Sequence, residues 1–378
     1  MVYFNNAATT YPKPAAVYEA MDEYYRNNAG SLGRGGKEMK SAGTLVADTR
    51  QLLKELLHTS LHEVIFTPTA TLALNMIIQG LMKRPVKNVY ITPFEHNAVT
   101  RVLHAYADKI NLRILAVNKD CSFDLERIGY QFADCQPDLV IMSHASNVIG
   151  VITPVAEVFA LAKKYEAITV VDMAQTAGLV DFDIAKAKCD FAVFAGHKTL
   201  YGPTGISGFL MNPDVELPTI LYGGTGIDSA NQDMPKDIPA RYEMGTPNMM
   251  AIAGLHAALM ELKDTTLLKR CQIEHENREH LLEILQDYDF IKVVGINQNL
   301  EYVGVVSCTI DGISSDSAAQ LFTKLGVELR TGLHCAPLAH KFLGTYPAGT
   351  IRFSVGVYNK EEDYGHLRAM LDYIEEGI

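Results

Sequence analysis

The chain has 378 residues, 48% of them apolar and 20% charged, with a formal charge of −11; this is the profile of an ordered two-domain protein, not of a disordered chain or one small core. The acidic balance argues against nucleic acid as a partner, because phosphate binding needs clustered Lys and Arg. No run reaches the ~20 apolar residues that cross a bilayer, and no basic-then-apolar leader opens the sequence, so a cytoplasmic protein without membrane contact is expected.

In chain order, short β-branched runs alternate with helical patterns through the first two thirds. Residues 89–92, 112–117, 139–143, 168–172, 191–194 and 206–211 read as buried strands, with amphipathic stretches such as 155–164 between them. Strands joined by helical crossovers make a mostly parallel sheet covered on both faces, an α/β architecture. Such sheets bind ligands beyond the carboxyl ends of their strands. A Gly- and Pro-rich stretch, 222–248, interrupts the alternation, and a long helical pattern over 249–285 links to a second part. There, 303–310, 318–324, 349–355 and a closing helix over 360–376 make a small α+β domain.

The six cysteines (Cys121, Cys135, Cys189, Cys271, Cys308 and Cys335) form no C-x-x-C pair, so no metal site or redox motif of that kind is expected. Most read as small buried apolar residues.

The segment Phe194-Ala195-Gly196-His197-Lys198 puts a lysine just past a strand end, where it can reach a ligand at the sheet's edge. Upstream, the strand Val170-Val171 ends in Asp172, a charge that is costly there without a partner. Alone, such a lysine is usually a solvated surface residue and such an aspartate a helix cap. Together they suit pyridoxal phosphate, which requires a Schiff-base lysine and a carboxylate partner for its ring nitrogen.

With these residues in view, the chain resembles the class V aminotransferase-fold enzymes, and within them the group II cysteine desulfurases and selenocysteine lyases. The resemblance runs nearly end to end. It rests on Tyr3 to Thr9, Glu95-His96, Ser146-Asn147, Asp172 to Gln175, Gly196-His197-Lys198, Gly245-Thr246-Pro247-Asn248 and Arg330-Thr331-Gly332-Leu333-His334-Cys335-Ala336. It implies the aspartate aminotransferase-like fold of PLP-dependent transferases. A large domain, 14–255, would hold a mostly parallel seven-stranded sheet; 1–13 with 256–378 would form the smaller α+β domain carrying the cysteine loop.

The resemblance also implies roles. Lys198 binds pyridoxal 5′-phosphate covalently, Asp172 faces its ring nitrogen, His96 stacks on the ring and Gln175 meets the ring oxygen, with Asn147 beside them. Ala70 and Thr71, at the start of the run 72–81, and His197 hold the phosphate. Thr246 reaches across from the partner of a homodimer. Arg352, assisted by Asn147 and with Arg330 nearby, grips the substrate carboxylate; Arg34 also matches an arginine near the family site. Family members carry a serine where this chain has Ala195, and its hydroxyl binds the phosphate. A lost hydrogen bond to a charged group costs roughly 1.5–3 kcal/mol, with Thr69 and Thr199 as candidates to replace it.

Cys335 sits in a loop after a strand expected to end at Arg330, and a loop thiol beside a cofactor is a candidate nucleophile. A free thiol, with a pKa of about 8.5, is mostly protonated at neutral pH, so it needs activation. His334 is a candidate base, although neighbours on extended chain point opposite ways. The short connection from Cys335 to Arg352 is similar to that of group II desulfurases, while Leu333 replaces a histidine of many relatives. The implied reaction removes sulfur from L-cysteine. Lys198 takes the Cα proton, Cys335 attacks the substrate sulfur and keeps it as a persulfide for an acceptor protein, His96 shuttles a proton and L-alanine leaves. Alternatives are selenocysteine lyase on L-selenocysteine, another class V reaction (transamination or C–S cleavage) with Cys335 incidental, and a non-catalytic sulfur-trafficking scaffold.

Overall fold

The computed structural model describes residues 2–28, 37–226, 230–264 and 267–376. Strand β1 (Val2–Tyr3) is followed by helices α1 (Ala15–Asn27) and α2 (Lys37–Leu56). Then come β2 (Glu63–Thr67), α3 (Ala70–Leu81), β3 (Asn88–Ile91), α4 (Asn97–His104), β4 (Asn111–Ile114), α5 (Leu125–Asp134), β5 (Leu139–Ser143), α6 (Val155–Ala162), β6 (Ile168–Asp172), β7 (Phe191–Ala195) and β8 (Ser207–Met211). The strands β2 to β8 form one seven-stranded sheet in the order β2-β8-β7-β6-β5-β3-β4. Neighbours from β4 to β7 pair parallel, and β8 alone runs against both of its neighbours. This is the mostly parallel sheet expected from the alternation.

Every residue of β5, β7 and β8 is buried, because both faces of the sheet are covered. Phe159, Phe194 and Leu255 belong to the core on one face, and Ile77, Ile141 and Val193 to that on the other. At Gly208 of β8 a Cβ would lie 2.2 Å from the Ile65 carbonyl, so only glycine lets β2 and β8 pair this closely. The sequence pattern did not reveal β2, whose five residues join the sheet beside the one reversed strand.

Beyond the sheet, helices α7 (Met249–Asp264) and α8 (Leu267–Gln286) stand where one long helical pattern was read. They lead into β9 (Ile291–Val293), β10 (Val305–Ile310), α9 (Ser315–Lys324), β11 (Val327–Glu328), β12 (Arg330–Gly332), α10 (Pro337–Leu343), β13 (Thr350–Ser354) and α11 (Glu361–Glu375). Four of these strands make an antiparallel sheet in the order β12-β13-β10-β9, around a separate core that includes Phe322, Phe353 and Leu367. Arg330 begins a strand here instead of ending one, so the cysteine loop starts after Gly332. The amino-terminal β1 pairs parallel with β11 in a separate two-stranded sheet, and a bridge from Asn5 to Ser354 of β13 ties the first residues of the chain to the second sheet.

Candidate active site

A cavity of about 210 Å³ opens where β5, β6 and β7 end, with Ser143, Asp172 and Ala195 on its floor-side strands and the start of α3 at its rim. Of the residues expected at the site, Ala70, Thr71, His96, Asn147, Asp172, Gln175, His197 and Lys198 all line it. Parallel register sets much of this. Ser143 pairs with Asp172, and Asp172 with Val193, so these strands end nearly level.

Lys198 follows β7 in a tight turn whose amide N–H donates to the Ala195 carbonyl at 3.3 Å. Burial brings its amine down from 10.5 to about 8, with Asp172 pulling the other way and Arg352 and Arg330 adding to the fall. An amine in that range is available at neutral pH as a nucleophile or a base. Asp172 Oδ1 accepts from the Ala174 N–H at 2.9 Å, the one hydrogen bond its carboxylate makes among the described residues. Burial raises Asp172, opposed by that bond and by Lys198. One carboxylate oxygen is left to face the cavity.

His96 caps α4, its Nδ1 accepting from the Ala98 N–H at 3.0 Å, which leaves the ring proton on Nε2. Burial, then the cations of Lys198, Arg330, Arg352 and Arg101, push this ring down to about 4, so it is neutral. Behind it, Glu95 is fully buried; it accepts from the Thr92 hydroxyl at 2.6 Å and from the N–H and hydroxyl of Ser143 at 2.8 Å each. The Gln175 amide donates to the Ala7 carbonyl at 3.0 Å. At the other end of the cavity, Thr69 caps α3 by accepting from the Leu72 N–H at 3.1 Å. The Ala70 and Thr71 amides are left, as first-turn amides are, without an intrahelical partner. His197 Nδ1 is buried and unpartnered. Together these donors make an anion site.

The second sheet brings the arginines. Arg330 and Arg352 are register partners on β12 and β13 and so share a face. Arg352 is 1% exposed, its Nη1 donates to the Asn147 carbonyl at 2.8 Å, and its Nε has no partner. Burial lowers it to about 9, with Arg330 contributing; it remains a cation at neutral pH. The Asn147 amide donates to the His334 carbonyl at 2.7 Å and leaves Oδ1 unpartnered. Arg330 Nη2 donates to Cys335 Sγ at 3.1 Å. That contact fixes the position of the sulfur.

His334 does not take the place of a base. Its Nε2 meets Thr350 Oγ1 at 2.9 Å, its ring packs on His340, and burial pushes it far down. Nor is the loop extended, since His334 and Cys335 have φ of 46° and 59°. Thr199 is also spent, donating to the Ala177 carbonyl at 2.7 Å, which leaves Thr69, in the cavity lining, of the two candidates to replace what Ala195 lacks. Thr246 is exposed and does not line the cavity of its own chain; Arg34 lies outside the described residues. Sequence reasoning missed Ser143 and Asn5, whose Oδ1 lies 3.5 Å from Arg352 Nη2. A strand-end serine and an asparagine before a turn carry no signal of their own.

Left-handed backbone costs a non-glycine residue about 1–2 kcal/mol. Cys335→Gly is therefore expected to be roughly 1 kcal/mol more stable to urea than Cys335→Ala; equal midpoints would mean the loop is unstrained at the cysteine.

Residues 2–367 match the family model "Aminotransferase class-V". The chain is 32% identical to a probable cysteine desulfurase of Halalkalibacterium halodurans, over 100% of this chain and 93% of that one. It is 30% identical to a probable cysteine desulfurase of Pyrococcus abyssi, over 100% and 95% respectively. Among solved structures it is similar to apo cysteine desulfurase from Thermococcus onnurineus NA1, with a TM-score of 0.91 and 28% identity over 100% of this chain and 95% of that one. With a match that spans nearly its whole length, the chain belongs to the class V aminotransferase family.

Proposed function

We propose that this protein is a cysteine desulfurase that holds pyridoxal 5′-phosphate on Lys198 and collects the sulfur of L-cysteine on Cys335. The observation that carries the reading is the hydrogen bond from Arg330 to Cys335 Sγ beside the buried Arg352, next to a cavity that contains Lys198 and Asp172. Relatives named cysteine desulfurase favour it over selenocysteine lyase, transamination or a non-catalytic scaffold. The donor set suits the cofactor. Asp172 offers a free carboxylate oxygen to a ring N–H, His96 a neutral ring face, and α3 with His197 an anion site for the phosphate.

When bound, the cofactor supplies an aldehyde for amines and a ring that draws electrons from the substrate Cα. The chain does the rest. Arg352, whose guanidinium Nε has no partner, grips the α-carboxylate, and Asn147, with Oδ1 unpartnered, assists. Lys198 Nζ takes the Cα proton. Cys335 Sγ, held by Arg330, forms a bond to the substrate sulfur as the C–S bond breaks, its electrons remaining with the carbon fragment. His96 Nε2 is the proton donor in reach of the site. Alanine leaves after protonation, and the sulfur stays on Cys335 as a persulfide.

We infer further that the acting unit is a homodimer in which Thr246, exposed and away from its own cavity, reaches the partner's. A thiol or an acceptor protein then takes the sulfur. Residues 14–255 form the large domain, and 1–13 with 256–378 the small one. A cytoplasmic setting fits the chain; no described helix is long and apolar enough to cross a membrane.

Incubated with L-cysteine, the protein is expected to form alanine and, with a thiol reductant, equivalent sulfide. Cys335→Ser should form neither at more than about a hundredth of the rate, since the nucleophile is gone; full sulfide release by that variant would point to plain C–S cleavage. Covalent capture needs the neutral amine of Lys198, and the fraction neutral rises with pH up to about 8. Stopped-flow capture of pyridoxal phosphate by the apoprotein should therefore speed up about tenfold per unit below pH 7 and level off above 8. A rate that still climbs past pH 9 would contradict the lowered amine.

A further inference from the structure

The carbonyl of His197, one peptide before Lys198, accepts more hydrogen bonds than it needs. The Thr10 N–H donates to it at 3.2 Å, the Thr9 hydroxyl at 3.1 Å and the Thr10 hydroxyl at 3.2 Å. A fourth donor, Lys13 Nζ, comes closer than any of these, at 2.6 Å, and reaches Thr10 Oγ1 at the same distance. A carbonyl has two lone pairs, so Lys13 is not required to satisfy it. What Lys13 adds is a group that can carry positive charge.

Lys13 is half-buried, and among the described residues it forms no ion pair. Burial pushes its amine down to about 7. Its charge is felt on the far side of the turn, where it helps lower the His197 ring, after burial and Lys198. That ring lines the cavity with Nδ1 unpartnered. Among the described residues, no lysine or arginine apart from Lys198 lines the cavity. A phosphate monoester seated at α3 would meet a helix end worth about half a charge, far short of the charge it brings.

We propose that Lys13 is the counter-charge for the cofactor phosphate, acting from behind the His197–Lys198 turn as a positioning residue that touches neither cofactor nor substrate. It holds the His197 peptide in place, so that the ring, with its proton on Nδ1, can donate to a phosphate oxygen. The inference rests on reading the cavity as a pyridoxal-phosphate site.

The test compares pyridoxal 5′-phosphate with pyridoxal, which lacks the phosphate. Both are titrated by absorbance into full-length apoprotein of the unaltered chain, Lys13→Met and Lys13→Arg, together with thermal unfolding of each apoprotein. Lys13→Met should raise the dissociation constant for pyridoxal phosphate roughly tenfold or more, the scale of one charge-assisted hydrogen bond. It should leave that for pyridoxal within twofold and should not lower the apoprotein's Tm. Lys13→Arg should restore most of the phosphate preference. An unchanged dissociation constant for pyridoxal phosphate in Lys13→Met overturns the proposal. So does an equal loss for both ligands, or a loss that follows a fall in Tm in both variants, since Lys13 would then only shape the turn. If the unaltered chain binds neither ligand, the reading of the cavity itself fails, and this inference with it.

Discussion

A charge taken out of water must find a partner or shift toward its neutral form. The site of this protein is assembled from charges that the chain buries and leaves incompletely matched. Asp172 keeps one hydrogen bond, Arg352 sits 1% exposed with an unpartnered Nε, and Lys198 is displaced well below the usual lysine range. Such groups weaken a fold unless something outside the chain completes them. A ligand with a ring N–H, a phosphate and an aldehyde, joined by a substrate carboxylate, answers each in turn. By linkage, the loaded protein gains the stability that the unloaded one forgoes.

Rigid scaffolding is what makes this tolerable. Asp172 and Ser143 project from strands buried on every side, so neither can swing toward solvent to escape its surroundings. The second sheet supplies Arg352, Arg330 and Cys335, and the amino-terminal segment joins the two. Strand β1 pairs with β11, Asn6 donates to the Ser354 carbonyl at 3.0 Å, and Thr10 donates to the Lys198 carbonyl at 3.0 Å. A dozen residues thus touch β13 at one end and the turn at Lys198 at the other. Movement of one sheet against the other would be felt at both.

The sequence made much of the large sheet legible because its strands are buried on both faces and read as short apolar runs, as in β5, β6 and β7. It hid β2, whose pairing with a reversed strand depends on Gly208 and not on any local pattern. The cavity residues were legible through resemblance, since a lysine after a strand or an aspartate at its end says little alone. The contact between Arg330 and Cys335 was not. Arg330 reaches Sγ only because β12 begins where a strand was expected to end and because His334 and Cys335 both adopt left-handed backbone. Alternation along extended chain, the ground for doubting His334, was therefore the wrong geometry for a sound suspicion.

The central claim is that one amine, that of Lys198, carries the cofactor. Borohydride reduction of protein loaded with pyridoxal phosphate, followed by proteolysis and mass mapping, tests it directly. The account predicts a reduced pyridoxyl group on the peptide containing Lys198 and none on Lys13 or any other lysine. Label on a different side chain, or none on protein saturated with cofactor, would contradict it.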